Sequence, residues 1–503
     1  MTNTIQSERN RLATAMESQI FDLLIIGGGI VGAGIARDAA MRGLRTVLVD
    51  QHDFGFGTSS RSSRLLHGGI RYLSQGRIGL VREASLEKSG FNHIAPHLAQ
   101  PLAFIFPAYQ GQGWPLWQLQ IGVKIYDMLC SGRNFGPSSA LNQESTLSLV
   151  PAMKKSGLRG AVRYFDALTN DARLVIDNLR SAVTAGGSVM NYTRFIKASK
   201  TGRNWNCSLT RLHENDCFNI QAKSIVNATG PWADQIPNSS VRLRLTKGIH
   251  LVLDRNHLPV SNAVVITEGK RILFVIPWGE RLIVGTTDTD YQGSIEAVRT
   301  QPEDVEYLFA ALRKFFPDIR ITESDVISSW AGLRPLIADS RGRPSDISRS
   351  HQILHSQPGW WDVAGGKLTT YRLMAEQTVD KVIAELGVSS RECQTANIPL
   401  IQNIALQSGS AIVPPPFHQE TVEHYCSTEW ALHLDDIMMR RTSWHYYCTN
   451  AAELAHQVLD WMASSLNWDE SQKKVEWQRY LKQSDWPPRE LASLPNMRHA
   501  AAL

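Results

Sequence analysis

Near the start of the chain the apolar positions fall in an order with a definite geometry. Phe21-Asp22-Leu23-Leu24-Ile25-Ile26 is a short apolar run of strand type, and it opens directly into Gly27-Gly28-Gly29-Ile30-Val31-Gly32. From Ala33 to Arg42 the chain turns alanine-rich, with Ile35, Asp38 and Ala39 at helical spacing. A second apolar run, Thr46-Val47-Leu48-Val49, ends in Asp50. The pattern predicts strand, glycine turn, helix and strand, closed by an acid.

Each part of that unit has a physical use. Gly27 permits the tight turn, Gly29 lets backbone approach a pyrophosphate, and Gly32 lets the helix pack close to the sheet. The helix N-terminus offers free N–H groups and a positive dipole end to phosphates. Asp50 can accept hydrogen bonds from ribose hydroxyls. The unit therefore reads as dinucleotide-binding.

The next stretch of chain separates flavin from nicotinamide. Thr58-Ser59-Ser60-Arg61-Ser62-Ser63-Arg64 is hydroxyl-rich and aperiodic, and it runs into Leu65-Leu66-His67-Gly68-Gly69-Ile70-Arg71-Tyr72. A second βαβ half is missing here. Far downstream, Ser224-Ile225-Val226-Asn227-Ala228-Thr229-Gly230-Pro231-Trp232 gives a strand ending in Ala-Thr-Gly. Two glycine-bearing strand ends so far apart suit a flavin fold in which a substrate domain interrupts the nucleotide domain.

The middle of the chain alternates short strand-like runs, Arg271 to Ile276 and Arg281 to Val284, with Pro277-Trp278-Gly279-Glu280 read as the turn between them. They predict a mostly antiparallel sheet. Trp360 to Ala364, Gly365-Gly366-Lys367-Leu368-Thr369-Thr370 and the helical pattern from Tyr371 to Ile383 form another strand, glycine turn and helix start. Residues 420 to 485 carry Trp, His and charge at helical spacing.

Composition changes this picture little. With 503 residues, 43% of them hydrophobic, the chain has surface to bury in two to four domains. A net charge of +5 from 52 basic and 47 acidic residues is too mild and too mixed to argue for nucleic acid. The six cysteines lie far apart with no metal-type spacing, so the expectation is reduced thiols and no metal. The first twenty residues do not read as a secretory signal, and no apolar run reaches the 18 or so residues of a membrane span.

Eight motifs in order carry a resemblance: Gly27 to Gly32, Thr58-Ser59-Ser60, His67 to Tyr72, Asn227 to Trp232, Lys247-Gly248-Ile249-His250, Gly285-Thr286-Thr287-Asp288, Gly332-Leu333-Arg334-Pro335-Leu336, and Gly365 to Arg372. Over roughly residues 20 to 400 the chain resembles the FAD-dependent, quinone-linked glycerol-3-phosphate dehydrogenases among the D-amino-acid-oxidase-like flavoproteins. More loosely, Glu429 to Thr442 resembles the Arg-Arg-Thr element of their helical C-terminal domain.

The resemblance implies an α/β (α+β) fold, with a Rossmann-type FAD-binding domain interleaved with a mostly antiparallel substrate sheet and a small helical C-terminal domain. The expected division is 20–100 for the first FAD-binding part, 101–220 for mixed segments and 221–235 for the return strand. Residues 236–355 then form the substrate domain, 356–390 the last FAD-binding part and 391–503 a shortened helical domain.

The implied reaction is oxidation of sn-glycerol 3-phosphate to dihydroxyacetone phosphate. Hydride moves from C2 to flavin N5, the C2 hydroxyl loses its proton, and the electrons pass to a quinone. A phosphate near −2 requires buried cations, and Arg71, Arg334, Arg349 and Lys367 fit that duty, with Tyr72 as a further hydroxyl. For the proton, His250 and His67 stand out among the 15 histidines. His250 is read as base or substrate orienter and His67 as lying nearer the flavin. A neighbouring Arg could acidify the substrate hydroxyl, which leaves the base assignment open.

Cofactor contacts are expected from Gly27, Gly29, Gly32, Asp50, Thr58, Ser59, His67, Gly68, Ala228, Gly230, Gly366, Lys367, Leu368 and Thr369. The helix start after Gly366 would stabilise charge on reduced flavin, and the plainer alternative is a helix cap by Thr369 or Thr370.

A cytoplasmic enzyme, peripheral on the cytoplasmic face of the inner membrane, is expected from the resemblance, with a homodimer as a further expectation. Trp114 to Lys124 is the candidate interface segment, although core packing explains such a stretch as well. Two other readings stay open: a soluble flavin oxidase that uses oxygen, on this substrate or an amino acid, and a flavin-binding protein without turnover.

Overall fold

The computed structural model describes residues 4–268, 271–337, 351–402 and 410–484. Leu23, Leu24, Ile25 and Ile26 are buried from both sides, which is what a continuous apolar strand requires inside a parallel sheet. The strand Ile20–Ile26 pairs in parallel with Thr46–Val49 on one side and Asp216–Asn227 on the other. Trp360–Ala364 extends the sheet in parallel beyond Asp216–Asn227, and Ser188–Met190 extends it beyond Thr46–Val49. Asn204–Arg211 pairs antiparallel with Asp216–Asn227, and Thr193–Thr201 pairs antiparallel with Asn204–Arg211 in turn. In Asn204–Arg211 buried residues alternate with partly exposed ones, as one solvated face demands.

The helix Ile30–Met41 packs on this sheet through Ala33, Ala36 and Ala39, which share a core with Leu23, Ile25 and Leu48. Small residues allow close approach: a β-carbon at Gly34 would lie 2.8 Å from the Tyr371 ring of the neighbouring helix Tyr371–Leu386.

The second sheet is mostly antiparallel. Its order runs from Thr289–Asp290 through Leu243–Asp254, Arg281–Gly285, Arg271–Trp278, Ala263–Glu268, Gln100–Tyr109 and Leu158–Leu168 to Leu65–Leu66. The pairing of Ala263–Glu268 with Gln100–Tyr109 is its parallel contact. Val326–Ile337 lies along Leu243–Asp254, with Thr246 opposite Arg334, Gly248 opposite Gly332 and His250 opposite Trp330. This register builds the site.

Several boundaries differ from the sequence reading. Trp278 belongs to its strand rather than to a turn, because Pro277 pairs with Leu282 and the buried indole donates to Ile412 O at 2.7 Å. The return strand starts at Asp216, before residue 221. Helices of the C-terminal region begin at Gln419 and end at Gln483 among the described residues. Residues 391–402 instead run along the nucleotide-binding half, with Arg391 N on Arg42 O and Leu400 N on Ile94 O. The segment Trp114 to Lys124 is part turn and part helix. Trp114 packs on Phe106, whereas Trp117 and Ile121 of the helix Leu116–Leu129 are more than half exposed.

Candidate active site

A long cleft with about 1850 Å³ of unfilled space, counted out to bulk solvent, runs from the glycine turn to the second sheet. Its nucleotide end is built as the motif requires. Gly27 has φ +105°, and a β-carbon there would lie 2.6 Å from Ala228 O. A β-carbon on Gly32 would run into Gly27 O, so Gly32 packs the helix and does not itself line the cleft. Ile30 N donates to Ser59 Oγ at 2.9 Å, and Thr58 Oγ1 donates to Leu333 O at 2.5 Å. The hydroxyl-rich stretch thus ties the helix start to the second sheet while it lines the cleft.

Asp50 faces this end. Its Oδ2 accepts from Gly28 N at 2.6 Å and its Oδ1 from His52 N at 2.8 Å, and the remaining lone pairs are left for the cleft. Burial pushes its carboxyl up to about 6, against the lowering effect of those amides and of His52.

Ala228, Gly230, Gly366, Lys367, Leu368 and His67 also line the cleft. Thr369 stands one step behind. Its hydroxyl accepts from His67 N at 3.0 Å and donates to His67 O at 3.1 Å, so it fixes the His67 backbone. Neither threonine caps the helix by its side chain: Thr370 occupies the cap position without such a bond. Gly68 lies outside the lining, because its amide donates to Tyr126 OH at 2.8 Å, away from the cleft.

A second cavity joins the first where Ser63, Leu65, His67 and Arg334 line both. Arg71 and Tyr72 line the second, and Lys367 lines the first. The Tyr72 ring links them, with the Lys367 ammonium 4.2 Å and the Arg71 guanidinium 5.1 Å from its centroid. Arg334 is held in one pose by Asp288 at 3.1 Å, Thr286 Oγ1 at 2.9 Å and Thr287 O at 3.1 Å. It stands over Gly248, where any side chain would displace it. Arg349 lies outside the described residues.

His250 is 3% exposed. Its Nε2 is 2.8 Å from Ser63 Oγ, and Trp330 stacks on the ring at 5.3 Å. Burial above all, then Arg334 and Arg64, pushes its imidazole down to about 3, so the ring is neutral near pH 7.

Sequence reasoning did not single out Ser63, Trp330, Thr286, Asp288 or Arg271, another lining residue of the second cavity. Ser63 lay in the hydroxyl-rich stretch and Asp288 in a glycine-led motif, but only the fold shows what they touch.

The cradle fits a dinucleotide by its own geometry, and comparison with known proteins agrees. The family model described as FAD dependent oxidoreductase matches residues 22–380, and the one described as C-terminal domain of alpha-glycerophosphate oxidase matches residues 393–473. The aerobic glycerol-3-phosphate dehydrogenase of Bacillus subtilis (strain 168) is 40% identical over 408 residues, 78% of this chain and 73% of that protein. That of Staphylococcus aureus (strain MRSA252) is 37% identical over 406 residues, again 78% and 73%.

Among solved structures, the glycerol-3-phosphate dehydrogenase from Bacillus halodurans complexed with FAD superposes with a TM-score of 0.77 at 29% identity, covering 95% of this chain and 97% of that one. L-alpha-glycerophosphate oxidase from Mycoplasma pneumoniae shares the fold, with a TM-score of 0.59 at 16% identity over 76% of this chain and all of that one. The chain belongs to the FAD-dependent oxidoreductases, in the branch of the FAD-dependent glycerol-3-phosphate dehydrogenases. It is an enzyme, and its cofactor is FAD.

Proposed function

We propose that this chain oxidises sn-glycerol 3-phosphate to dihydroxyacetone phosphate, with hydride leaving C2 toward flavin N5. The observation that carries the reading is the convergence of His250 and Arg334, from two paired strands, with Lys367 and Arg71 around the junction of the two cavities. The names of the relatives support the same substrate. Bound FAD supplies the two-electron acceptor.

The protein's own part is binding and one proton transfer. Arg71, Arg334 and Lys367 take the phosphate and the substrate oxygens, with the Tyr72 hydroxyl beside them. A carboxylate would not need so many cations, which favours a phosphate ester over an amino acid. The C2 hydroxyl proton leaves through Ser63 Oγ to His250 Nε2. A neutral imidazole can receive it; burial above all, and then the cations, disfavour the protonated ring, and the arriving dianion offsets the cations.

The acceptor in our reading is a quinone at a membrane surface, on the cytoplasmic face of the inner membrane. In support, Trp117, Ile121 and Met128 are exposed on one helix that also carries Lys124, and Ile78 is exposed on the preceding helix. Among the described residues no helix is long and apolar enough to cross a membrane. The match of residues 393–473 to a domain described from an oxidase favours a second reading, with oxygen as acceptor.

The test is turnover of purified protein on sn-glycerol 3-phosphate with a short-chain quinone under nitrogen, against turnover in air without quinone. Fast quinone reduction and slow peroxide formation support the first reading. Peroxide formed at the full rate would replace it with the second, and no turnover with either would overturn the substrate.

A further inference from the structure

The loop Asp50 to Gly57 forms one wall of the nucleotide end of the cleft, and its grip on the glycine turn is direct. Gly55 N donates to Gly28 O at 2.9 Å, Asp50 accepts from Gly28 N, and the Phe54 ring fills the space beside Gly28. Asp53, in the middle of this loop, turns the opposite way. It is fully buried and takes two consecutive guanidinium groups from the C-terminal domain. Arg440 Nε lies 2.5 Å from its Oδ2, while Arg441 contributes Nη1 to Oδ2 and Nη2 to Oδ1, both at 2.8 Å. A wide helical turn over Asp436–Arg441, closed by Thr442 N on Ile437 O, presents both arginines to one carboxylate.

The contact is continued by neighbours. Trp430 meets the Phe54 ring edge-on at 5.4 Å, and the Arg440 guanidinium lies 5.5 Å from the Phe56 ring. The two arginines are themselves held from behind. Arg440 Nη2 binds Asp435 and Asp436 at 2.6 and 2.5 Å, and Arg441 donates twice to Glu429 O. A bidentate, fully buried pair of this kind fixes position more firmly than apolar packing does.

We propose that Arg440 and Arg441 are positioning residues for the cofactor. By holding Asp53 they fix the Asp50 to Gly57 loop against the glycine turn, so that the C-terminal domain sets part of the FAD affinity. Neither arginine lines the cleft, so the effect acts through the loop. Reciprocity then requires FAD to tighten the C-terminal contact in return.

The experiment is a titration of apoprotein with FAD, followed by flavin fluorescence, for the parent, Asp53→Asn, Arg441→Gln and Glu476→Gln. Glu476 is a buried acid of the same domain whose partners are His433, Leu434 and Gln472, none of them in the loop. The first two variants are expected to raise the FAD Kd about tenfold or more. Glu476→Gln should lower the melting temperature and leave Kd unchanged. Equal Kd in all four proteins, or the same rise in all three variants, would overturn the proposal.

If the loop variants do not fold, hydrogen exchange of the unmodified protein decides. FAD should slow exchange in residues 430–441 together with residues 50–57, and protection confined to 50–57 would overturn the inference.

Discussion

His250 Nε2 and Ser63 Oγ lie 2.8 Å apart at the point where the two cavities join. The imidazole is stacked on Trp330, whose own indole N–H donates to Ser62 O at 3.1 Å, so serine and histidine share one support. Removing the imidazole by His250→Asn is expected to lower kcat by roughly 10²- to 10⁴-fold, and Ser63→Ala by roughly 10²-fold, with FAD content unchanged. Steady-state kinetics at full flavin occupancy checks both. A Ser63→Ala enzyme with unchanged kcat would remove the serine from the proton path.

The buried histidine also leaves a mark on stability. Its folded-state value near 3 lies below the unfolded value of about 6.5, so below pH 6.5 the unfolded chain takes up a proton that the folded one refuses. Stability is therefore fully present above about pH 6.5 and is lost as pH falls toward 3. By pH 5 the loss is on the order of 2 kcal/mol. His250→Gln should lack this component, so its deficit relative to the parent should shrink on acidification. Denaturant unfolding at pH 7.5 and pH 5 measures it, and parallel losses in the two proteins would contradict the assignment.

Arg334 is held by Asp288, Thr286 and Thr287 before any substrate arrives. Replacing it by Ala removes charge-assisted bonds to the phosphate, each contributing about 1.5–3 kcal/mol, and should raise KM by roughly tenfold or more. Flavin content should stay near normal, because the hydrogen bonds that hold this side chain run to Asp288, Thr286 and Thr287 rather than to the glycine turn. Loss of FAD with unchanged KM would show that Arg334 serves the cofactor.

At Gly29 an added β-carbon would lie 3.2 Å from Ser59 Oγ, the acceptor of the Ile30 amide. A branched side chain there pushes on that hydroxyl and fills the space of the pyrophosphate. Gly29→Val is expected to purify folded, by circular dichroism, but largely free of flavin. A fully flavinylated variant would contradict the placement of the turn.

The nucleotide-binding unit is legible in sequence because its parts are local. The buried run Leu23 to Ile26, the glycine spacing and Asp50 lie within 28 residues, and each obeys a rule of short range. The cationic residues are marked by the glycines beside them. What escapes is set by register and long-range packing. Trp330 reaches His250 only across paired strands, and Asp288 becomes the partner of Arg334 only when Leu243–Asp254 brings Val326–Ile337 alongside. The grip of Arg440 on Asp53 joins residues 387 positions apart, beyond any periodicity. Gly68 and the threonine cap mislead for a related reason: a glycine pair or a Thr-Thr step signals close approach without saying to what.

The most direct measurement is spectroscopic. Purified yellow protein, freed of oxygen, is mixed with sn-glycerol 3-phosphate while the flavin absorbance is followed. Prompt bleaching of the oxidised flavin is expected, with no bleaching by glycerol or by inorganic phosphate at the same concentration. A spectrum that stays oxidised with the phosphate ester, or that bleaches equally with glycerol, would contradict the proposed reaction.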